Sequence, residues 1–200
     1  MRLVLATRNE DKVHEIREAL DGLPVGLMSL IELPEIGEIE ETGDTLEENA
    51  LLKAETVSAA TGLPALADDT GLEVEALDGR PGVRSSRYAG EDATYEDNVR
   101  KLLKEMKGVP PAKRGASFRT VIALVFPGGK SRTVEGYCRG SIELEARGEN
   151  GFGYDPVFTP EGSSFTFAEL TLAQKNAISH RGRAIVAARR LLAGLLKDDE

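Results

Sequence analysis

The first twenty residues of the chain change from a strand pattern to a helix pattern within a few positions. Residues 3–6 are a short apolar run that predicts a buried strand. Asn9 is a suitable N-cap for a following helix whose apolar face is Val13, Ile16 and Leu20. A strand that leads directly into an amphipathic helix restricts the chain to folds that combine the two, so the N-terminus predicts an α/β class.

The rest of the chain continues this mixture. Thr45 and Glu48 have the spacing of a capping box, and the helix they begin is expected to run to about Ala60, before Gly62. Further elements are predicted as strands at 65–67, 72–77, 118–126 and 133–144, with helices beginning at Thr94 and Ser179. We expect a single domain over 1–200, with a mixed sheet flanked by helices and an active cleft between two lobes.

Composition and charge exclude several classes of protein. The 200-residue chain has a formal net charge of −9 and no basic run, which argues against a nucleic-acid partner. It has no apolar run of transmembrane length and no signal-peptide core, so no membrane partner is expected. Its single cysteine, Cys138, cannot form an intrachain disulfide, which fits a cytoplasmic protein.

Two adjacent carboxylates follow the apolar run at 65–67. Asp68 and Asp69 repel each other unless a cation compensates them, and Mg²⁺ prefers oxygen ligands. Because successive strand residues point to opposite faces, we expect only one of the two to face a given site, and Asp69 is our candidate. The alternative is an Asp-rich turn that enters the next strand. The role of Asp68 stays open.

A phosphate site is predicted where the first strand becomes the first helix. Thr7 and Asn9 offer side-chain hydrogen bonds, Lys12 adds positive charge, and the free N–H groups of a helix N-terminus attract anions. The segment lacks the glycine pattern of a P-loop. The alternative is an ordinary helix cap with a solvated lysine.

Two segments near the middle of the chain carry further charged candidates. An acidic loop contains glutamates that are either solvated or fold over the site to join Asp69 at a metal ion: Glu35, Glu38, Glu40 and Glu41. Lys53 shares a helix face with Asn49 and is able to reach a phosphate, or to pair with Glu48 or Asp69 instead.

The C-terminal third carries candidates for recognition of a flat ligand. Glycines on both sides of Phe152 let the backbone approach a base, on which Phe152 would stack while Asp155 accepts hydrogen bonds. Lys175, His180 and Arg181 cluster around the start of the last helix, where donors suit a carbonyl or phosphate oxygen. The alternatives are a core aromatic in a tight turn and a buried structural histidine.

Five stretches of the sequence occur in the order of one known family: LATRNEDK, EETGDTLEENALLKA, LPALADDTGLEVEALDGRPGVRSSRYAGEDAT, GFGYDPVF and KNAISHRGRA. Together they span nearly the whole chain and resemble the inosine triphosphate pyrophosphatase family. The resemblance implies an elongated α/β fold, a Mg²⁺ cofactor and a homodimer. It also implies that water attacks the α-phosphorus of ITP, dITP or XTP, which yields the nucleoside monophosphate and pyrophosphate.

The resemblance implies a role for each candidate residue. Asp69 is expected to be the proton acceptor and a metal ligand, with Glu40 as the second metal carboxylate and Glu41 or Glu35 as alternatives. The sequence departs from the family pattern at two places. Thr70 stands where serine is commonest in the family, and Glu149-Asn150 replaces residues that are often small or glycine, so the shape of the base-binding loop stays open. The expected substrate contacts are Thr7, Arg8, Asn9, Glu10, Asp11, Lys12, Lys53, Thr70, Phe152, Gly153, Tyr154, Asp155, Lys175, His180 and Arg181.

Base choice follows from hydrogen-bond chemistry. His180 or Arg181 would donate a hydrogen bond to the six-position carbonyl of hypoxanthine or xanthine, and the same donors would mismatch the amino group of adenine. Two other functions stay open: a related pyrophosphatase of pyrimidine or modified-base triphosphates, and a non-catalytic nucleotide sensor.

Overall fold

A computed structural model of the chain describes residues 1–198, with side chains described as far as residue 194. Strands and helices alternate along most of it, which confirms the α/β class. No helix within these residues is long and apolar enough to cross a membrane. In chain order the elements are β1 (Arg2–Leu5), α1 (Glu10–Ala19), β2 (Gly26–Ser29), α2 (Leu46–Thr61), β3 (Ala65–Val74), β4 (Pro81–Gly82), α3 (Tyr95–Glu105), β5 (Gly115–Val125), β6 (Ser131–Ile142), β7 (Phe158–Pro160), α4 (Leu172–Ile178) and α5 (His180–Asp198).

The strands form a mixed sheet. Its hydrogen-bonded order is β2-β1-β3-β5-β6-β7, and β4 pairs with β3. Strand β1 is parallel to both β2 and β3, with Leu5 opposite Ser29 on one side and Leu66 on the other. The β3–β4 and β6–β7 pairs are antiparallel. The N-terminal βα unit therefore builds the parallel part of the sheet.

The predicted helix starts are confirmed because their caps are local. The Asn9 side chain accepts a hydrogen bond from the backbone N–H of Lys12. Thr45 begins α2 in a complete capping box, and Gly62 ends the helix in the left-handed conformation at φ 66°. Thr94 begins α3 in a second capping box. These side chains fix where each helix meets the strand before it.

The prediction of two separate strands, at 65–67 and 72–77, is wrong, and so is the alternative of an Asp-rich turn between them. Strand β3 runs without interruption from Ala65 to Val74 and carries Asp68 and Asp69 in its interior. An extended strand tolerates these buried carboxylates because cations from other elements lie against both of them.

The chain divides into two compact units, and each has its own core. Unit 1 comprises 1–69, 120–136 and 181–200, and unit 2 comprises 70–119 and 137–180. Aliphatic side chains of β1, α1, β5 and α5 form the core of unit 1, and aromatic residues are prominent in the core of unit 2. The predicted cleft between two lobes stays a prediction.

Candidate active site

The turn between β1 and α1 is a helix cap whose lysine is largely buried. Thr7 Oγ1 accepts a hydrogen bond from Asn9 N at 3.2 Å, and Asn9 Oδ1 accepts one from Lys12 N at 3.0 Å. The Lys12 ammonium extends to Asp68, at 3.2 Å. Glu10 and Asp11 occupy the first turn with their side chains exposed. Near this N-terminus, Lys12 is therefore held in a set position.

Lys12, Glu15, Asp68 and Arg181 form a buried ionic cluster in unit 1. Asp68 Oδ2 lies 3.2 Å from Lys12 Nζ and 3.2 Å from Arg181 Nε, and the Asp68 side chain is fully buried. Arg181 Nη1 donates to Glu15 Oε2 at 2.5 Å. Two cations and two carboxylates thus alternate in one network, so Asp68 is the counter-ion that fixes Lys12 and Arg181.

The charges of this cluster perturb its ionisation. Burial alone raises the pKa of Asp68, but Lys12 and Arg181 outweigh it and hold that pKa well below its usual range. Burial also lowers the pKa of Lys12, only partly offset by Asp68. For Arg181, Glu15 and Asp68 outweigh burial and raise the pKa further. The carboxylate of Asp68 therefore stays ionised at neutral pH.

Sequence reasoning proposed Arg181 as a nucleotide contact and missed Glu15. The structure places Arg181 at 2% exposure against two carboxylates, where it orients other side chains. Its contact with a nucleotide stays a prediction. Glu15 follows Lys12 by three residues, so both lie on one helix face, and that spacing is the signal that could have found it.

Asp69 lies in a second group of unit 1, on the opposite face of β3. Its Oδ1 is 3.2 Å from Lys53 Nζ, and its Oδ2 accepts a hydrogen bond from Asn49 Nδ2 at 3.4 Å. The same Lys53 ammonium lies 2.7 Å from Glu41 Oε1 and donates to the Asp68 carbonyl at 2.9 Å. We call Glu41 and Asp69 the carboxylate pair. Asp68 and Asp69 thus pair with different cations, as expected of neighbouring residues in a strand.

One ammonium shared by two carboxylates sets the ionisation of this group. Burial makes the largest contribution and raises the pKa of Asp69; Lys53 opposes it, and Glu41 adds to it, so the net shift is upward. Burial lowers the pKa of Lys53, but Asp69 and Glu41 outweigh that effect and raise it. The Asp69 carboxyl group is thus protonated more readily than an ordinary surface carboxylate.

The acidic loop that precedes α2 is held at both ends. The Arg8 guanidinium donates to the Leu30 carbonyl at 2.9 Å and also to the Ile36 carbonyl. At the other end, Asn49 Oδ1 accepts from Gly43 N at 2.7 Å while Asn49 Nδ2 binds Asp69. Arg8, predicted as a substrate contact, therefore anchors this loop.

Within that loop, the glutamate that reaches the site is Glu41. Glu35, Glu38 and Glu40 have exposed side chains, whereas Glu41 is half-buried against Lys53. Glu41 was one of the alternatives left open by the sequence. The geometry favours it over Glu40, whose metal role stays a prediction.

The carboxylate pair has the chemistry of a Mg²⁺ site. Glu41 and Asp69 supply oxygen donors, and a cation, the Lys53 ammonium, already lies between them. In the part of the chain that the structure describes, no three His, Cys, Asp or Glu side chains form a metal-binding group. Mg²⁺ commonly takes one or two carboxylates and completes its shell with water and substrate phosphates, so the residues present fit this ion.

Unit 2 contains the aromatic loop site, which we define as Tyr95, Phe152, Asp155 and Lys175. Asp155 Oδ2 accepts from Phe152 N at 2.9 Å and from Lys175 Nζ at 2.6 Å. The Lys175 ammonium lies 4.7 Å from the Phe152 ring centroid, and the Tyr95 ring lies 5.8 Å from it. Asp155 and Lys175 are both buried, so this ion pair fixes the position of the Phe152 ring.

The structure requires glycine at position 151 of this loop. Gly151 adopts φ 71°, and a Cβ there would lie 2.1 Å from Asp155 Oδ2. The loop therefore closes on the Asp155 carboxylate. Because Asp155 accepts hydrogen bonds from its own loop and from Lys175, the structure gives it a positioning role; its contact with a base stays a prediction.

The other predicted recognition residues have unequal access. Tyr154 is buried, and its hydroxyl donates to the Ser85 carbonyl at 2.9 Å, while Gly153 is half-exposed. His180 is buried with its ring stacked on Phe118 at 4.4 Å. Thr70 follows Asp69 in β3 and is half-buried.

Tyr95 was missed because the sequence marked Thr94 only as a cap. An aromatic residue in the first turn of a capped helix is the signal that could have revealed it.

Comparison with known proteins agrees with the resemblance seen in the sequence. The Ham1 family profile matches residues 3–191. A dITP/XTP pyrophosphatase of Geobacter sulfurreducens is 55% identical over 184 residues, which cover 92% of each chain. The structure of a HAM1 protein from Coxiella burnetii superposes with a TM-score of 0.88 at 42% identity, covering 97% of this chain and 99% of that one.

A second solved structure gives the same result. The Ham1 protein of Staphylococcus aureus has a TM-score of 0.86 at 38% identity, and the match covers 97% of this chain and 99% of that one. Sequence and fold agree over nearly the full length of both proteins. The chain is a member of the Ham1 family.

Proposed function

We propose that this chain hydrolyses the triphosphates of deoxyinosine, xanthosine and inosine to the nucleoside monophosphate and pyrophosphate. The observation that carries the proposal is the buried Asp69 carboxylate, paired with Glu41 around one ammonium. The names of relatives such as the dITP/XTP pyrophosphatase of Geobacter sulfurreducens support the substrate class. Removal of non-standard purine nucleotides from the nucleotide pool is the corresponding role.

Asp69 is the proposed proton acceptor. Its pKa is raised by burial, which makes the carboxylate a stronger base towards the water that attacks the α-phosphorus. Asn49 holds Oδ2 and Lys53 holds Oδ1, so the carboxylate is oriented before the substrate arrives. Glu41 and Asp69 are the proposed Mg²⁺ ligands, and the contact of Glu41 with Lys53 supports Glu41 over Glu40. When bound, Mg²⁺ supplies charge that offsets the polyphosphate.

The β1–α1 turn is the proposed triphosphate site. The first N–H groups of a helix have no backbone partner within the helix; that of Lys12 donates to Asn9 Oδ1, so those of Glu10 and Asp11 are the proposed donors to phosphate oxygens. Glu10 and Asp11 carry exposed carboxylates that repel phosphate, so their contribution is expected to come from the backbone. Thr7, Asn9 and Lys12 add polar and positive groups. Positioning and electrostatics of this kind supply most of the catalysis in phosphoryl chemistry.

The aromatic loop site is the proposed contact for the purine base. Phe152 offers a partly exposed ring, and Lys175 lies over that ring while bound to Asp155. Base stacking on an aromatic side chain is worth about 1–3 kcal/mol. A donor from Lys175 or His180 to the six-position carbonyl would favour hypoxanthine and xanthine over adenine.

The proposed activity also implies a cellular location, an oligomeric state and a cofactor. We propose that it works in the cytoplasm as a homodimer with Mg²⁺, as one domain, on small nucleotides and not on nucleic acids. The single cysteine supports the cytoplasm, and the net charge of −9 supports small nucleotides over nucleic acids. The homodimer and the single domain are proposed from the resemblance to the family.

A panel of triphosphates tests the proposed function. The purified protein is assayed with dITP, XTP, ITP, dATP, dGTP and dUTP, with and without Mg²⁺, and pyrophosphate is measured against orthophosphate. We expect pyrophosphate from the first three only, and only with the metal. Faster turnover of dUTP would favour a pyrimidine enzyme, and binding of dITP without any release would favour a nucleotide sensor.

A further inference from the structure

The Lys53 ammonium contacts three oxygen atoms of the protein itself, which a lysine that only binds phosphate would not require. Its ammonium lies 2.7 Å from Glu41 Oε1, 3.2 Å from Asp69 Oδ1 and 2.9 Å from the Asp68 carbonyl oxygen. The three oxygens come from a loop and a strand, and the lysine comes from the middle of α2. The ammonium therefore joins three separate segments of unit 1 at one point.

The burial of these groups makes the ammonium necessary. The side chains of Lys53 and Asp69 are only 10% and 8% exposed, and Glu41 is 23% exposed. Glu41 and Asp69 both contact the same ammonium and are largely shielded from water, so their carboxylates would repel each other strongly if no cation lay between them. Lys53 supplies that cation without any ligand present.

A divalent cation would need the same oxygens. Mg²⁺ binds carboxylate oxygens at about 2.1 Å, so an ion held by Glu41 and Asp69 would lie close to the present ammonium and repel it. The flexible four-carbon stem of Lys53 lets its ammonium move away without movement of α2. The two cations cannot both keep their full contacts with this pair.

We propose that Lys53 is the resident counter-ion of the metal-free carboxylate pair, that it competes with the divalent cation for Glu41 and Asp69, and that the metal releases it towards the triphosphate. This inference rests on the proposed function in one respect, the assignment of the metal to this pair. It assigns Lys53 a coupling role, because metal entry makes the phosphate-binding cation available.

Two simpler roles for Lys53 give different metal affinities. If Lys53 were only a phosphate contact, its removal would leave metal binding in nucleotide-free protein unchanged. If it were only a structural clamp, its removal would loosen the pair and weaken metal binding. Under the competition role, removal strengthens metal binding while turnover falls.

The test is a Mn²⁺ titration of nucleotide-free protein followed by electron paramagnetic resonance. We expect Lys53→Met to lower the Mn²⁺ Kd at least about tenfold, because one buried positive charge next to the ion is gone. The matched control is Lys175→Met, which removes a buried lysine that is paired with Asp155 in unit 2, and its Kd should change by less than about threefold. An unchanged or higher Kd in Lys53→Met overturns the proposal.

A second measurement uses the wild-type chain, so it does not depend on a folded variant. Lysine acetylation is followed by mass spectrometry with and without Mg²⁺ in the absence of nucleotide. We expect Lys53 to be protected in metal-free protein and labelled faster when Mg²⁺ is added. Equal or slower labelling with Mg²⁺ contradicts the release of the ammonium.

The outcomes separate this inference from the proposed function. Loss of Mn²⁺ binding in Glu41→Gln and Asp69→Asn supports the metal assignment, and unchanged binding in both removes the premise. Pyrophosphate release by wild-type protein together with an unchanged Kd in Lys53→Met would leave the function standing and overturn the inference. A lowered Kd without pyrophosphate release would do the reverse.

Discussion

The two units of the chain carry different kinds of site. In unit 1, cations and carboxylates alternate around Asp68 and Asp69, and most of these side chains are buried. In unit 2, one buried ion pair, Asp155 with Lys175, supports an aromatic ring that stays partly exposed. The arrangement in unit 1 fixes the positions of charged groups, and the arrangement in unit 2 fixes the position of the Phe152 ring. Substitutions in unit 1 should therefore change turnover or stability, and those in unit 2 should change substrate affinity.

The largest effect is expected at Asp69. Asp69→Asn keeps the size of the side chain and removes the proton acceptor, so kcat for dITP should fall by about 10³-fold. Pyrophosphate release measures the loss, and circular dichroism checks that the variant is folded. A kcat within a factor of about ten of wild type would mean that another group accepts the proton.

Asp68 should affect stability more than any surface charge. Asp68→Asn leaves Lys12 and Arg181 with one carboxylate fewer in a dry environment, and breaking a buried pair costs about 3–5 kcal/mol. Urea unfolding measures the change. The matched control is Arg17→Gln at the exposed Arg17–Glu32 contact of 2.9 Å. That pair should contribute less than about 1 kcal/mol.

The pH dependence of stability sharpens the same prediction. The folded pKa of Asp68 is depressed, so its contribution is present above the ordinary carboxyl pKa of 3.8 and is lost as pH falls towards the folded value. Wild-type protein should lose more unfolding free energy between pH 4 and pH 2 than Asp68→Asn does. Identical pH profiles for the two proteins would contradict the assignment.

Phe152 tests the aromatic half of the comparison. Phe152→Ala removes the proposed stacking surface, and KM for dITP should rise about tenfold or more, with a much smaller change in kcat. Phe152→Tyr keeps the ring and should stay close to wild type. A fall in kcat with an unchanged KM would place Phe152 with the catalytic groups instead.

Tyr95 should give the smallest effect. Its ring lies beside Phe152 and is 42% exposed, so Tyr95→Ala is expected to leave the fold intact. An aromatic contact of this kind is worth about 0.5–1.5 kcal/mol, and the lower half of that range, expected for so exposed a ring, corresponds to a KM increase of about two- to fivefold. Tyr95→Phe is the control, and a KM that falls in Tyr95→Ala would mean that Tyr95 covers the ring.

Local chemistry explains what could be predicted from the sequence. Helix starts at Asn9, Thr45 and Thr94 were predictable because each cap uses residues within three positions. The α/β class followed from the order of these elements. The identity of the site segments followed from the resemblance to a known family.

Distant partners explain what could not be predicted. The continuity of β3 depends on cations far from Asp68 in the chain, and Arg181 is 113 positions away. Glu41 contacts Lys53 because Arg8 and Asn49 hold the loop that carries it. This loop is irregular, so its sequence has no periodicity from which the contact could be predicted. Asp155 meets its partner Lys175 across 20 positions, so its internal role was not visible from the loop alone.

Isotope labelling of the products tests the central claim, attack of water on the α-phosphorus, most directly. The enzyme hydrolyses dITP with Mg²⁺ in water enriched in ¹⁸O, and mass spectrometry locates the label. We predict that one ¹⁸O enters deoxyinosine monophosphate and none enters pyrophosphate. Label in pyrophosphate, or release of labelled orthophosphate, would contradict cleavage at the α-phosphorus.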